Sequence, residues 1–309
     1  MRVFFLTLFS ILLGATALAA QEQAPRVAAD IGPVASLVQM VTQDRGEVSQ
    51  LVPSNASAHD FALRPSQARV LQNADVVFWI GQPLTPWLSK SIENLAPNAI
   101  SVPLLALDVT EVMAIRPDVA FANPADHDEV VHEAEDLSQT DPHAWLAPQN
   151  AVKWLFEIAK TLGDISPANR EFYLQNAEES ATKIRIAAAD ISYRLGPVRH
   201  VPFVLAHDGT QYFEHAFDLT ALASIRDVSG SAPSVRRLQN LGEKLQQAPV
   251  ACALQDAEMA QKVIILPDGS RPAKIGTLRV VGQMIEQGPD LYITMLNDVA
   301  DTFITCLTP

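Results

Sequence analysis

From residue 27 the chain alternates short apolar runs with amphipathic stretches. Val27–Ala29 reads as a strand, Pro33–Gln43 as a helix with Val34, Leu37, Val38 and Val41 on one face, and Val48–Val52 as a second strand. Pro65–Ala74 reads as a helix, Val76–Ile80 as a strand stopped by Gly81 and Pro83, Pro86–Leu95 as a helix and Ile100–Leu104 as a strand. Strands that alternate with helices in this way predict a parallel sheet covered by helices. The pattern restarts after residue 200, with strands over Pro202–Ala206, Leu219–Ile225, Cys252–Leu254 and Ile275–Val280 and a helix over Ser234–Gln247. Between the two halves, Ser166-Pro167 has the form of an N-cap followed by proline, and neither Gly nor Pro recurs until Gly196-Pro197. A helix of about 28 residues there spans roughly 42 Å at 1.5 Å per residue. The expected architecture is α/β: an N-terminal lobe over 26–165, a linking helix over 166–196 and a C-terminal lobe over 197–309.

The first twenty residues depart from this pattern. Arg2 precedes an apolar run from Val3 to Leu13, and Ala17-Leu18-Ala19-Ala20 supplies small residues suited to a signal peptidase. Residues 1–20 are therefore expected to be a cleavable secretory signal. The apolar run is short for a membrane span, and no cysteine stands at the cleavage point to take a lipid, so the mature chain is expected to be soluble in the periplasm and unanchored. Removing the signal takes away one positive charge, so the formal charge goes from -13 to -14. That acidity disfavours nucleic acid and anionic membrane as partners. The remaining 289 residues exceed what one core usually fills, which fits two lobes.

The only cysteines are Cys252 and Cys306. In an oxidising compartment they are expected to form one disulfide; the other reading, a metal-binding pair, lacks the short companion spacing of a zinc knuckle. Three histidines stand where apolar runs end: His59 in Ser57-Ala58-His59-Asp60-Phe61, His143 in Asp141-Pro142-His143-Ala144-Trp145-Leu146, and His207 in Leu205-Ala206-His207-Asp208. In open α/β sheets, sites form beyond the carboxyl ends of strands, and neutral imidazole is the common ligand of zinc and its neighbours. One transition-metal site assembled by the fold is thus one reading, and three solvated loop histidines are the other. Asp60, Asp208 and Asp256 are candidates to orient imidazoles from behind. A zinc hydrolase built on three histidines is a rival from another class, but no His-Glu-x-x-His helix, Gly-x-Ser-x-Gly elbow or phosphate-binding P-loop occurs. No enzymatic activity is expected.

Val52-Pro53-Ser54-Asn55-Ala56-Ser57-Ala58-His59-Asp60-Phe61 with Arg64-Pro65-Ser66, then Asp141-Pro142-His143-Ala144-Trp145-Leu146, then His207-Asp208 with Tyr212-Phe213, resemble the three histidine motifs of the zinc-specific periplasmic binding proteins of ABC transporters, the ZnuA group. The resemblance runs over essentially the whole mature chain, and Asp-Pro-His-x-Trp-Leu is its most specific motif. It implies two Rossmann-like lobes with parallel sheets joined by one long backbone helix, and a metal in the interlobe cleft held by His59, His143 and His207. It also implies Zn2+ as transported ligand, an inner-membrane ABC permease with its cytoplasmic ATPase as partner, and most simply a monomer. Manganese or another divalent metal, and a zinc chaperone or adhesin of the same fold, are the alternatives. The segment Asp118–Thr140, with His127 and His132 among acids, is similar to a shortened His-rich and acid-rich loop of this group; a solvated acidic loop is the bland alternative. Arg279 stands where relatives commonly have Asp, and Cys252–Met259 departs from a Glu-Pro-Gln-Phe pattern while keeping an acid at Asp256. The fourth ligand is left open among water, Asp60, a loop residue and a displaced acid.

Overall fold

The computed structural model describes residues 24–116, 130–131, 137–231, 234–246, 250–259 and 269–309, with 264, 266 and 267 as isolated positions. Residues 1–20, expected to be a signal sequence, and the two loop histidines, His127 and His132, lie outside the described residues.

In the N-terminal half, β1 (Arg26–Ala29), α1 (Gly32–Thr42), β2 (Glu47–Gln50), α2 (Pro65–Asn73), β3 (Val76–Trp79), α3 (Pro86–Leu95) and β4 (Ile100–Pro103) follow one another. Proline opens α1, α2, α3 and the later α4, where its fixed φ suits a helix start and its missing N–H costs nothing. The four strands form a parallel sheet in the order β2-β1-β3-β4. A short antiparallel ribbon, β5 (Val112–Met113) with β6 (Val130–Val131), then leads toward α4 (Pro148–Ile165) and α5 (Arg170–Leu195). A 3-10 turn over Pro167–Asn169 precedes α5, so the linking helix begins three residues after its proline.

The C-terminal half holds β7 (Phe203–His207), α6 (Gln211–Phe217), β8 (Ala223–Arg226), α7 (Val235–Leu245), β9 (Cys252–Asp256), β10 (Lys274–Leu278) and α8 (Leu291–Leu307). Its parallel sheet runs β10-β9-β7-β8, which is the order of the first sheet read from the other edge. Each sheet therefore has a switch point beside its first strand, where successive connections leave to opposite sides and open a crevice at the strand ends. The strand expected over Leu219–Ile225 begins only at Ala223. Asp218 takes a left-handed φ of 55° that ends α6, and Leu219 N still donates to Glu214 O at 2.9 Å, so Leu219–Leu222 is a helix exit.

One apolar core runs beneath both sheets. It joins Val27, Phe78 and Trp154 to Phe203, Tyr212 and Phe303, and smaller cores cover the outer face of each sheet. Helix α1 shows how tightly the halves are joined. The sequence assigned it one buried face, yet Ser36, Met40 and Thr42 are buried as well, because α8 covers the face that α4 and α5 leave open. Ser36 inside that contact is fully used: its hydroxyl donates to Gly288 O at 2.8 Å and accepts from Tyr292 N at 3.0 Å. Among the described residues, the last helix thus packs against the first.

Cys252 at the start of β9 and Cys306 on α8 form the expected disulfide, with Cα atoms 5.6 Å apart across 54 residues of sequence. Restricting the unfolded chain by a loop of that length is worth roughly 2 to 4 kcal/mol. Cys252→Ala/Cys306→Ala is expected to lose about that much unfolding free energy in urea denaturation. An unchanged midpoint would show that the bond closes a contact that α8 already makes without it.

Candidate metal centre

The three histidines converge. His143 and His207 have ring centroids 5.2 Å apart, and His59 lies 6.1 Å from the first and 6.5 Å from the second. One ligand nitrogen from each lies within 4.8 Å of the others. Three imidazoles on one tetrahedral ion at 2.0–2.1 Å would stand about 3.3 Å apart, so no pair in the cluster exceeds that arrangement by more than about 1.5 Å. The rings border a cavity of about 270 Å³ whose wall also includes Asp60, Trp145, Asp256 and Glu258.

Each ring is delivered by a different local device. His59 rides on the connection after β2, whose start is tied to the first sheet by Leu51 N to Ala29 O and Val52 N to Asp30 O. Trp87 on α3 donates its indole N–H to Ala58 O at 2.8 Å and packs on Phe61, which fixes the backbone on both sides of His59. His143 follows Asp141-Pro142, where Asp141 Oδ1 accepts both His143 N at 2.9 Å and His143 Nδ1 at 2.7 Å. An Asx turn closed in this way holds backbone and ring together. Behind it Trp145 packs on the ring and donates to Val280 O at 2.7 Å. His207 is the last residue of β7, and Asp256, the last residue of the neighbouring β9, meets its Nδ1 at 2.5 Å. These two strands flank the switch point of the second sheet, which is why acid and imidazole meet there.

The electrostatics divide the rings. Burial pushes His59 down to about 4, helped by the neighbouring His143 and His207, so it is neutral at neutral pH. Burial also opposes charge on His207, but Asp256 outweighs it by charge and hydrogen bond, and Val228 O accepts Nε2 at 2.9 Å, so His207 is held up to about 9. Without metal this ring keeps a proton on both nitrogens at neutral pH.

The remaining acids part company. Asp256 does face an imidazole. Asp208 does not: its carboxylate is taken by Arg116, which also pairs with Glu214 at 3.0 Å inside the join between the halves. Asp60 is exposed at the cavity mouth, and among the described residues no imidazole bonds to it. Arg279 turns away to Asp298 on α8 at 3.3 Å, leaving Val280 and Val281 in the cavity wall. Two acids escaped the sequence reading. Asp141 was legible only through its i, i+2 spacing to His143. Glu258, two residues beyond Asp256, lies on the cavity rim and accepts Gln283 Nε2 at 3.1 Å; lost solvent and the nearby Asp256 push its carboxyl up to about 7.

Two parallel α/β halves, bridged by a long helix and enclosing a cavity at their strand ends, define a two-lobed binding protein of the helix-bridged kind. The family of periplasmic zinc-uptake complex component A proteins, ZnuA, matches residues 27–306, and the chain belongs to that family. It is 32% identical over 315 residues to the high-affinity zinc uptake system protein ZnuA of Paracoccus denitrificans, covering 96% of this chain and 95% of that one. The same-named protein of Brucella suis is 29% identical over 307 residues, covering 91% of each. Among solved structures, a crystal structure of ZnuA superposes with a TM-score of 0.73 at 21% identity, covering 92% of this chain and all of that one. The substrate-binding protein FpvC of Pseudomonas aeruginosa, solved with Mn2+, superposes with a TM-score of 0.75 at 19% identity, covering 92% of this chain and 98% of that one.

Two outcomes follow from the polar groups. A group whose pKa is raised on folding stabilises the fold below its unfolded value and loses that contribution as pH rises through the folded value. For His207 the window runs from 6.5 to about 9. The thermal midpoint of the metal-free protein is expected to carry a downward component across it that His207→Gln lacks. Arg116→Met would leave Asp208 and Glu214 buried without their cation, at a cost of about 3 to 5 kcal/mol in chemical denaturation; a loss below about 1 kcal/mol would show that solvent reaches the triad.

Proposed function

We propose that this protein captures Zn2+ in the periplasm through His59, His143 and His207 and delivers it to an inner-membrane ABC permease driven by a cytoplasmic ATPase. The carrying observation is the convergence of three imidazole nitrogens within 4.8 Å of one another at a cavity between the lobes. Family membership supports zinc as the cargo and the periplasm as the compartment. The donor set agrees, since neutral imidazoles suit zinc, whereas manganese and magnesium prefer oxygen. Residues 1–20 act as the signal sequence. The lobes are assigned to 26–165 and 197–309, with 166–196 as the brace between them, on the support of the strands each sheet contains. The protein works as a carrier rather than an enzyme.

Each ligating nitrogen must be free of its proton, so binding strengthens as pH rises and weakens in acid. Asp141 and Asp256 hold two of the rings in place before the ion arrives, which lowers the ordering cost of capture. Gly209 keeps the space between them open. A side chain there would meet His207 Nδ1 at 2.8 Å, closer than packed atoms allow, and His143 Nε2 at a tight 3.3 Å.

Chelator-competition titration of the metal-free protein is expected to give one tight zinc site with manganese far weaker. His59→Ala, His143→Ala and His207→Ala should each weaken it about 100-fold or more. Gly209→Ala should also weaken it, with an unchanged circular dichroism spectrum. Zinc affinity that stays the same in all three histidine variants would remove the cleft as the binding site.

A further inference from the structure

A second hollow shares no residue with the metal cavity. It opens where α6 meets α5 beside α4, and its volume is about 550 Å³. Val152, Ile184 and Phe217, all buried, form its floor, and Ala188, Ala189 and Ala216 stand where larger side chains would have closed the gap. Packed helices leave few such voids, so the three alanines keep this one open. A space of roughly 300–1,000 Å³ with an apolar lining and a few polar groups at its edge is the profile of a small-molecule site.

The charges at the rim select the ligand. The chain has 35 acidic and 22 basic residues, yet the charged residues that line this hollow are Lys153 and Arg185, with no acid among them. Lys153 is already held by Glu111 at 2.7 Å. Arg185 is exposed and, among the described residues, forms no ion pair or hydrogen bond. The first turn of α4, whose Pro148 and Gln149 belong to the wall, contains no acid either, so its backbone dipole adds to the same sign. From the apolar floor and this cationic rim, we propose that the hollow binds a free single-chain aliphatic carboxylate, its tail on Val152, Ile184 and Phe217 and its headgroup at Arg185. The planar guanidinium matches a carboxylate in shape as well as charge. A neutral chain leaves that cation unused, and a cationic one meets like charge. The formal charge of -13 works against an anionic lipid surface, so the ligand arrives as a dissolved molecule. This site stands independently of zinc capture.

The protein labelled with 13C at its alanine methyl groups is titrated with hexanoate, octanoate and decanoate, with octanol and octyltrimethylammonium as controls. The methyl resonances of Ala188, Ala189 and Ala216 are expected to shift, with dissociation constants that fall by up to about fourfold for each CH2 added to the carboxylate. Octanoate is expected to bind more tightly than octanol, and octyltrimethylammonium most weakly. Arg185→Gln should weaken octanoate roughly two- to fivefold and leave octanol unchanged. Ala188→Trp, checked for folding by its thermal midpoint, should abolish the response to both. No shift at the three methyl groups overturns the proposal, as does octanol binding as tightly as octanoate. Shifts that follow protein concentration instead of octanoate put a second copy of the chain in the hollow and overturn it equally.

Discussion

Tyr212, on α6 directly after β7, donates its hydroxyl hydrogen to Asp141 O at 3.0 Å and accepts Met113 N at 2.9 Å. Both bonds cross from one half of the molecule to the other. Burial raises the phenol well above its ordinary value, so it stays a neutral donor. Asp141 carries the carboxylate that holds His143, and Tyr212 sits five residues beyond His207 on the helix that leaves that strand. The hydroxyl therefore fixes the spacing of the two rings through short, stiff segments. It acts together with Trp145 Nε1 to Val280 O and Gln211 Nε2 to Ala114 O, which also cross between the halves.

Arg116 reinforces the same join with charge. It carries the chain out of the β5 ribbon and places its guanidinium against Asp208 and Glu214, both buried. Thr210 and Ala221 complete the bonding of Glu214, so the group is satisfied rather than merely neutralised. Buried ion pairs seldom improve stability over a well-packed apolar contact, but they discriminate strongly between correct and shifted registers, because a displaced carboxylate loses its cation in a low dielectric. Asp208 follows His207 directly, so a shift in this join would move that ring. With α8 packed on α1 and one core beneath both sheets, the halves behave as a braced pair.

Much of this was legible in the residues. The strand and helix alternation, the proline helix starts, the linking helix and the disulfide follow from local rules about periodicity, capping and compartment. The three histidines stood out because each ends an apolar run, the place where an open α/β sheet leaves a crevice. What pattern could not carry was partnership across long separations. Asp208 and Asp256 looked alike beside strand ends, yet one serves Arg116 and the other His207. The difference is that β9 lies next to β7 in the sheet while the β5 ribbon meets α6, a fact of topology that spacing does not encode. The all-round burial of α1 was hidden for the same reason, because its second face waits for a helix about 250 residues later. Asp141 was hidden differently: its role is local, but an acid before proline reads first as a backbone signal.

The third ring is the one held least directly. His143 is pinned by Asp141 and Trp145, and His207 by Asp256 and Val228, whereas His59 is held through its backbone neighbours, with Trp87 bonded to Ala58 O and Phe61 packed on Trp87. It is also the farthest of the three, at 6.1 and 6.5 Å from the others against 5.2 Å between them. Drawing it inward moves a loop whose Ala58 belongs to the apolar core and whose Phe61 packs against it. Burial keeps this ring neutral, at about 4, so its nitrogen lone pair is free at neutral pH. The cluster thus consists of two rings held by carboxylates and one held through its backbone neighbours. That third ring lies beside exposed Asp60 in the cavity wall.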